Sequence, residues 1–272
     1  MKKLILSLIV LTSLTITNCS KSEENATTTH EENPLNPQNP QSPQRPQVPQ
    51  PNQEPPITSA DFTLSEDGKT LVRWNNTTRT TLDMKAHPLL SQVTTIDSWA
   101  FEDRNSLKTI VFPETLTTIK GGAFSKTGLT SVIIPETVTS IGNYAFSNCN
   151  SLTSVSIPKT VTDLGDWVFE NCENLEEVTF GPKTLKNALF SGCTNLKNVT
   201  LLEKITTIGP WAFENRANFT TLTIKATTPP SIGEITFKNT ALTHIYVPAA
   251  SVDSYKNDRK WGVFADKIQA IP

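Results

Sequence analysis

Residues 129–146 read LTSVIIPETVTSIGNYAF, and residues 152–169 read LTSVSIPKTVTDLGDWVF. The second stretch repeats the first 23 residues later, with leucine, proline, glycine and phenylalanine at corresponding places. Apolar and polar residues alternate after the leucine, which predicts a short strand with one buried face. A repeat this short cannot close a hydrophobic core by itself, so the pattern predicts coils that stack on one another.

The same pattern extends well beyond these two stretches. Its clearest mark is a phenylalanine every 21 to 24 residues, at Phe101, Phe124, Phe146, Phe169, Phe190, Phe213 and Phe237. An aliphatic residue stands five positions earlier, at Ile96, Ile119, Ile141, Leu164, Leu185, Ile208 and Ile232. Five or six positions later stands Leu107, Leu129, Leu152, Leu175, Leu196, Phe219 or Leu242. This periodicity predicts a solenoid of about seven repeats.

The pattern Leu-x-x-Ile-x-Ile-Pro-x-x-Val-Thr-x-Ile-Gly-x-x-Ala-Phe-x-x-Cys resembles the BspA-like (treponemal-type) leucine-rich repeats of bacterial surface proteins. The resemblance rests on recurring prolines, glycines and Ala-Phe pairs, among them Pro135, Pro158, Gly142, Gly165 and Ala145-Phe146. It implies an α/β leucine-rich-repeat solenoid of about seven 21–24-residue repeats, with short strands on the concave face. The fifth unit is two residues short between Gly181 and Phe190, which predicts a local distortion of the coil.

The ends of a solenoid need caps, because the terminal coils otherwise expose their apolar faces. Residues 57–92 are predicted to form an N-terminal cap that contains a hairpin, with strands at 62–65 and 70–74 around Glu66-Asp67-Gly68-Lys69. The repeats are assigned to residues 93–248. Residues 249–272 are predicted to form a C-terminal cap with a short helix, sealed by Trp261 and Phe264.

The first 18 residues have the pattern of a bacterial lipoprotein signal peptide. Lys2 and Lys3 precede an apolar run from Leu4 to Ile16, which is too short to span a bilayer, and Cys19 follows as the acceptor for the lipid. An ordinary secretory signal with an incidental cysteine is the alternative. The tract from Ser20 to Glu24 resembles the export tract of Bacteroidota surface lipoproteins, so we expect lipid anchoring in the outer membrane with exposure at the cell surface.

Residues 19–56 are predicted to form an acidic and proline-rich tether. Prolines recur at every third position from Pro34 to Pro49, which favours an extended polyproline II rod. The alternative is a ligand for proline-recognition modules, but bacterial surface tethers commonly have this composition. The tether is expected to hold the repeats away from the membrane.

The composition argues against several classes of function. Lys and Arg total 24 against 26 Asp and Glu, and no basic stretch appears, which argues against a nucleic-acid partner. Only His30, His87 and His244 are present, and no nucleophile elbow, phosphate loop or zinc motif occurs. We therefore expect no enzyme activity, no catalytic residue, no cofactor and no metal site. Cys149, Cys172 and Cys193 share one repeat position and are predicted to be buried free thiols.

Two surfaces remain as candidate binding sites. The outward strand positions are predicted to form what we call the ladder face, on the concave side: Thr109, Ser131, Ser154, Ser156, Glu177, Thr179, Asn198, Thr200, Thr221, Thr223, His244 and Tyr246. Such positions also favour Ser and Thr for purely structural reasons. An aromatic ridge is predicted two residues before the repeat phenylalanine, at Trp99, Tyr144, Trp167 and Trp211; its rings could instead pack only on one another.

The resemblance implies a surface-anchored protein that binds macromolecular partners, in adhesion to host or matrix proteins or to other cells. A protein partner is therefore expected, a glycan is the second possibility, and the membrane is contacted through the lipid anchor alone. Two alternatives come from other classes of function. One is a carbohydrate-binding accessory of an outer-membrane glycan-uptake system, and the other is a structural component of the envelope.

Overall fold

The computed structural model describes residues 54–272, in which two strands per coil stack into two walls. The elements are β1 (Phe62–Leu64), β2 (Thr70–Trp74), β3 (Thr81–Asp83), β4 (Thr95–Ile96), β5 (Thr109–Val111), β6 (Thr118–Ile119), β7 (Ser131–Ile133), β8 (Ser140–Ile141), β9 (Ser154–Ile157), β10 (Asp163–Leu164), β11 (Glu177–Phe180), β12 (Thr184–Leu185), β13 (Asn198–Leu201), β14 (Thr207–Ile208), β15 (Thr221–Ile224), β16 (Ser231–Ile232), β17 (His244–Val247), α1 (Val252–Lys256) and β18 (Ile268–Ala270).

From β7 onward, the longer strand of each coil pairs in parallel with the longer strand of the next, whereas β5 does not pair with β7. Seven such strands form one sheet in the order β18-β17-β15-β13-β11-β9-β7, and β3 pairs with β5 beside it. The two-residue strands form the second wall, in the orders β1-β2-β4-β6-β8-β10 and β12-β14-β16. The predicted leucine-rich-repeat solenoid is confirmed, with its α-helix content in the described residues limited to the five residues of α1.

An aromatic column runs through the core along the solenoid. The seven repeat phenylalanines stack ring on ring, with centroid separations from 4.7 Å for Phe101–Phe124 to 6.4 Å for Phe190–Phe213. Trp74 extends the column at one end and Trp261 at the other. Because each ring contacts the ring of the neighbouring coil, burial of the phenylalanine row ties successive coils together.

Each coil turns through two left-handed residues that flank the repeat phenylalanine. The first has φ between 53° and 64° and lies two residues before it: Trp99, Gly122, Tyr144, Trp167, Ala188, Trp211 and Ile235. The second has φ between 55° and 74° and lies two residues after it: Asp103, Lys126, Asn148, Asn171, Gly192, Asn215 and Asn239. The amides between them pair with the next coil, as Phe124 N donates to Ala145 O at 2.7 Å.

The N-terminal segment contains more than a cap. The predicted hairpin is present, since β1 and β2 pair antiparallel. In addition, β2 pairs in parallel with β4, and β3 pairs in parallel with β5. Residues 70–92 therefore supply one strand to each wall and form a coil that precedes the first recognisable repeat.

The C-terminal end is closed as predicted. Helix α1 buries Tyr255, whose hydroxyl donates to the carbonyl of Ala226 at 2.9 Å. Trp261 is fully buried, and its indole nitrogen donates to the carbonyl of Pro230 at 2.7 Å. Phe264 packs edge-on against Phe237.

Among residues 54–272, no helical segment has the length and apolar character that a membrane span requires.

The short fifth unit distorts one wall and leaves the other intact. On the side of the longer strands, β11 pairs with both β9 and β13. On the other side, β12 pairs with β14 but not with β10, so the second wall is divided at this coil. The predicted local distortion is therefore confirmed, and the order of the coils is preserved.

Candidate binding surfaces

The ladder face consists of two rows of side chains in exact register along the sheet of longer strands. One row pairs Ser154, Glu177, Asn198, Thr221 and His244, and the other pairs Ser156, Thr179, Thr200, Thr223 and Tyr246. The residue between the two rows is buried in each of these strands, as Val155, Val178 and Val199 illustrate. The rows therefore project away from the core, and the alternation along each strand explains why.

A shallow groove of about 420 Å³ lies on the ladder face. It is bordered by hydroxyl and amide side chains, with Glu177 as its one charged residue. Ile133 also borders it and is 78% exposed, more than any other large hydrophobic residue in the described chain. At the far end of the same face, the His244 and Tyr246 rings stack at 5.6 Å. The face thus combines hydrogen-bonding groups with isolated apolar contacts.

The predicted aromatic ridge is divided rather than continuous. Tyr144 and Trp167 stack with their ring centroids 5.4 Å apart and an angle of 7° between the planes. Trp99 covers Gly122, since a Cβ added to that glycine would lie 2.2 Å from the indole. Ala188 occupies the ridge position in the coil between Trp167 and Trp211, and its methyl group is too small to bridge the two rings. The three tryptophans are 38–49% exposed, so packing on neighbours covers only part of each ring.

The predicted buried thiols are observed. Cys149, Cys172 and Cys193 are free and have no exposed surface. Each Sγ lies 3.1 Å from the carbonyl oxygen of the repeat phenylalanine one coil earlier, where the thiol can donate. Burial raises the pKa of the Cys172 thiol well above its ordinary value. All three thiols therefore satisfy core carbonyls, and full burial keeps them away from reagents in solvent.

Catalytic and metal chemistry finds little support in the part of the chain that is described. Residues 54–272 contain no group of three or more His, Cys, Asp or Glu side chains placed to hold a metal ion. His87 packs against Phe62, and His244 belongs to the ladder face. The predicted lipid acceptor Cys19, the signal peptide and nearly all of the tether lie outside the described residues. The expected absence of catalysis stays a prediction.

Sequence reasoning missed two cavities. One, of about 350 Å³, lies at the division of the second wall and is bordered by Lys159, Lys183, Lys186 and Lys204. The two-residue shortening of the fifth unit marks its place in the sequence. The other, of about 430 Å³, is apolar and lies beside the C-terminal cap, between Ile235 and Val263. Ile235 lies two residues before Phe237, at the position that the ridge aromatics occupy in other repeats. An apolar residue at this outward position could have indicated the cavity from the sequence.

Comparison with known proteins identifies the repeat. The family model described as "BspA type Leucine rich repeat region" matches residues 79–185 and 181–258, in six copies. No curated protein matches the chain.

Among solved structures, a leucine-rich repeat protein from Eubacterium ventriosum is 23% identical, with a TM-score of 0.53. The match covers 68% of this chain and 51% of that protein, so the chain spans about half its length. A leucine-rich repeat protein of T. pallidum is 24% identical, with a TM-score of 0.48, over 61% of this chain and 91% of that one. The first of these likenesses shows a shared fold.

Proposed function

The chain belongs to the BspA-type leucine-rich-repeat family, and on that premise we propose that it is a lipid-anchored cell-surface protein that binds protein partners in adhesion. A leucine-rich-repeat solenoid typically serves as a binding scaffold without enzyme activity. The lipoprotein signal, with Cys19 as acceptor, and the proline-rich tether support anchoring at a distance from the membrane. The partners are host proteins, matrix proteins or proteins of other cells.

The observation that carries this proposal is the ladder face. Its rows of outward side chains contribute nothing to the core, yet they form a continuous surface over five consecutive strands. Hydroxyl and amide groups can bond to the backbone of an extended partner. Exposed Ile133 supplies an apolar contact of the kind that anchors protein interfaces.

The binding test compares two charge-matched double variants. Ser156→Arg with Thr200→Arg places bulk and charge in the groove, whereas Asn150→Arg with Thr194→Arg adds the same charge on exposed turns elsewhere. Binding is measured to immobilised matrix proteins and to whole epithelial cells, after thermal unfolding confirms that both variants are folded. We expect roughly tenfold weaker binding for the groove variant alone. Equal binding by the two variants would place the contact outside the ladder face.

Localisation is tested by protease shaving of intact cells, followed by immunodetection of residues 54–272. Loss of the signal without lysis is the expected result. Protection until the cells are lysed would place the repeats in the periplasm and would contradict a role in adhesion. The envelope-component alternative would then be favoured.

A further inference from the structure

The cavity at the fifth coil, which we call the lysine notch, is a direct consequence of chain length. Five residues connect the two strands of the fourth coil, from β9 to β10, and five connect those of the sixth, from β13 to β14. Only Gly181, Pro182 and Lys183 connect β11 to β12. The shorter connection keeps β12 from pairing with β10, and a cavity of about 350 Å³ opens between them.

The lysine notch has an apolar floor and a cationic rim. Val161, Leu164 and Pro182 line it and are buried. Lys159 and Lys204 come from the coils on either side, while Lys183 and Lys186 come from the short coil itself. Stacking of the fourth, fifth and sixth coils thus brings lysines of three coils to the cavity that the shortening opens.

The charge of the notch is largely uncompensated. Asp166 lies 3.8 Å from Lys186, and among residues 54–272 no carboxylate comes within 4.0 Å of the other three lysines. The whole chain, by contrast, carries a net charge of −2. Several like charges around one concave site raise the local positive potential, which attracts and retains anions.

We propose that the lysine notch binds an anionic saccharide, through a sulfate or carboxylate group carried on a sugar ring. A pyranose has an apolar C–H face that can lie on the floor, while its charged substituent is held by the rim. The size of the cavity suits a small ligand or the end of a chain. An acidic peptide presents its carboxylates on flexible stems and has no ring to cover the floor. The site shares no residue with the ladder face and does not depend on the adhesion proposal.

The test uses the full chain, purified in detergent, and a set of defined probes. Dextran sulfate and polygalacturonate carry sulfate and carboxylate groups, neutral dextran carries none, and polyglutamate is the acidic peptide. The notch variant is Lys159→Gln, Lys183→Gln and Lys204→Gln together, and a second variant has arginine at the same three positions. A matched control changes exposed Lys69, Lys225 and Lys256 to glutamine.

We expect at least one anionic polysaccharide to bind, neutral dextran not to bind, and the glutamine variant of the notch to bind about tenfold more weakly. The arginine variant should retain binding, and binding should weaken as salt is added. Equal loss in the matched control would show that net charge alone matters and would overturn the proposal. Binding of polyglutamate as tight as that of the polysaccharides, or no binding to either polysaccharide, would also overturn it.

Discussion

At the scale of single residues, position within the coil decides what a substitution does. Leu152 and Ile133 are both aliphatic, but Leu152 is fully buried and Ile133 is 78% exposed. The first contributes to the contact between coils, and the second contributes only to the surface. Two left-handed positions per coil impose a second constraint, because residues with a Cβ are strained there.

Truncation of Leu152 should destabilise the solenoid. Leu152→Ala removes buried methyl groups and leaves a cavity, so we expect the free energy of unfolding in urea to fall by about 2–5 kcal/mol. Ile133→Ala is the control, and exposed substitutions usually change stability by less than about 0.5 kcal/mol. Similar losses for both variants would contradict the assigned burial.

Replacement of Ala188 by glycine should stabilise the protein, although glycine usually destabilises. Ala188 has φ of 55°, where glycine is unstrained, so we expect Ala188→Gly to raise the free energy of unfolding by roughly 0.5–1 kcal/mol. Ala145 is buried and outside the left-handed set, so Ala145→Gly should lower it. Urea unfolding of both variants is the measurement. A loss at both positions would show that the methyl group of Ala188 matters more than its backbone.

At the scale of elements, the shortened connection before β12 changes the hydrogen bonding of a whole strand. In the fourth coil, Gly165 N donates to Ile141 O at 2.7 Å, and in the sixth, Gly209 N donates to Leu185 O at 2.8 Å. The corresponding amide of the fifth coil, that of Lys186, has no backbone acceptor within the described chain. The fifth coil therefore lacks, in the second wall, a backbone hydrogen bond to the preceding coil that the fourth and sixth coils make.

Amide hydrogen exchange should detect this difference. Unpaired amides exchange faster than amides in a ladder. We expect Lys183 and Lys186 to exchange faster than Thr206 and Gly209, which occupy the corresponding places one coil later and donate to Lys183 O and Leu185 O. The measurement is native-state exchange followed by NMR or mass spectrometry. Equal protection in the two coils would mean that the amides around β12 are hydrogen-bonded as stably as those around β14.

The N-terminal hairpin should contribute stability that depends on pH. Asp61 accepts hydrogen bonds from Thr58 N at 2.7 Å and from the Asn76 amide at 2.7 Å, and the bond from Thr58 N is the main cause that lowers its pKa below 3.8. A lowered folded-state pKa stabilises the fold above the ordinary pKa, and this contribution is lost as the pH falls through the folded value. Asp61→Asn should therefore cost about 1 kcal/mol at pH 7. The free energies of unfolding of the two proteins should become equal in acid, where Asp61 is protonated. A difference in unfolding free energy that does not change with pH would contradict this role.

The sequence predicted the elements that recur and missed those that depart from the repeat. Seven coils follow from their phenylalanines, because a buried row must recur at the period of the coil. The coil at residues 70–92 was missed, since Leu71, Trp74, Leu82 and Met84 fill its core without the motif's proline or phenylalanine. The ladder face was predicted from alternation alone. The lysine notch was not, because the cavity that its lysines border opens only where one connection is two residues shorter.

At the scale of the whole molecule, stability depends on contacts between neighbouring coils and on closed ends. The aromatic column runs from Trp74 to Trp261 without a gap, and Phe62 of the hairpin stacks on Trp74. In a linear array of this kind, each coil is stabilised only by its neighbours, so loss of an end cap exposes the next coil.

Removal of Trp261 should open the solenoid from its C-terminal end. Trp261→Ala eliminates a fully buried ring and its hydrogen bond to Pro230, so we expect a loss of about 3–5 kcal/mol. Val263→Ala, at a site 73% exposed, is the control. Urea unfolding gives the magnitude, and hydrogen exchange should show β17 losing protection before β7. Uniform loss along the chain would contradict unfolding from the end.

The attachment of Glu54 has a mechanical consequence. Its carboxylate accepts hydrogen bonds from Thr80 N at 2.6 Å and from the Thr81 hydroxyl at 3.1 Å, and it pairs with Arg79 at 3.1 Å. A pull on Glu54 from the preceding chain would therefore load several bonds at once, all of them to the segment that leads into β3. If the proposed tether carries tension, that tension reaches the bonds between Glu54 and residues 79–81 before it reaches β1 of the hairpin.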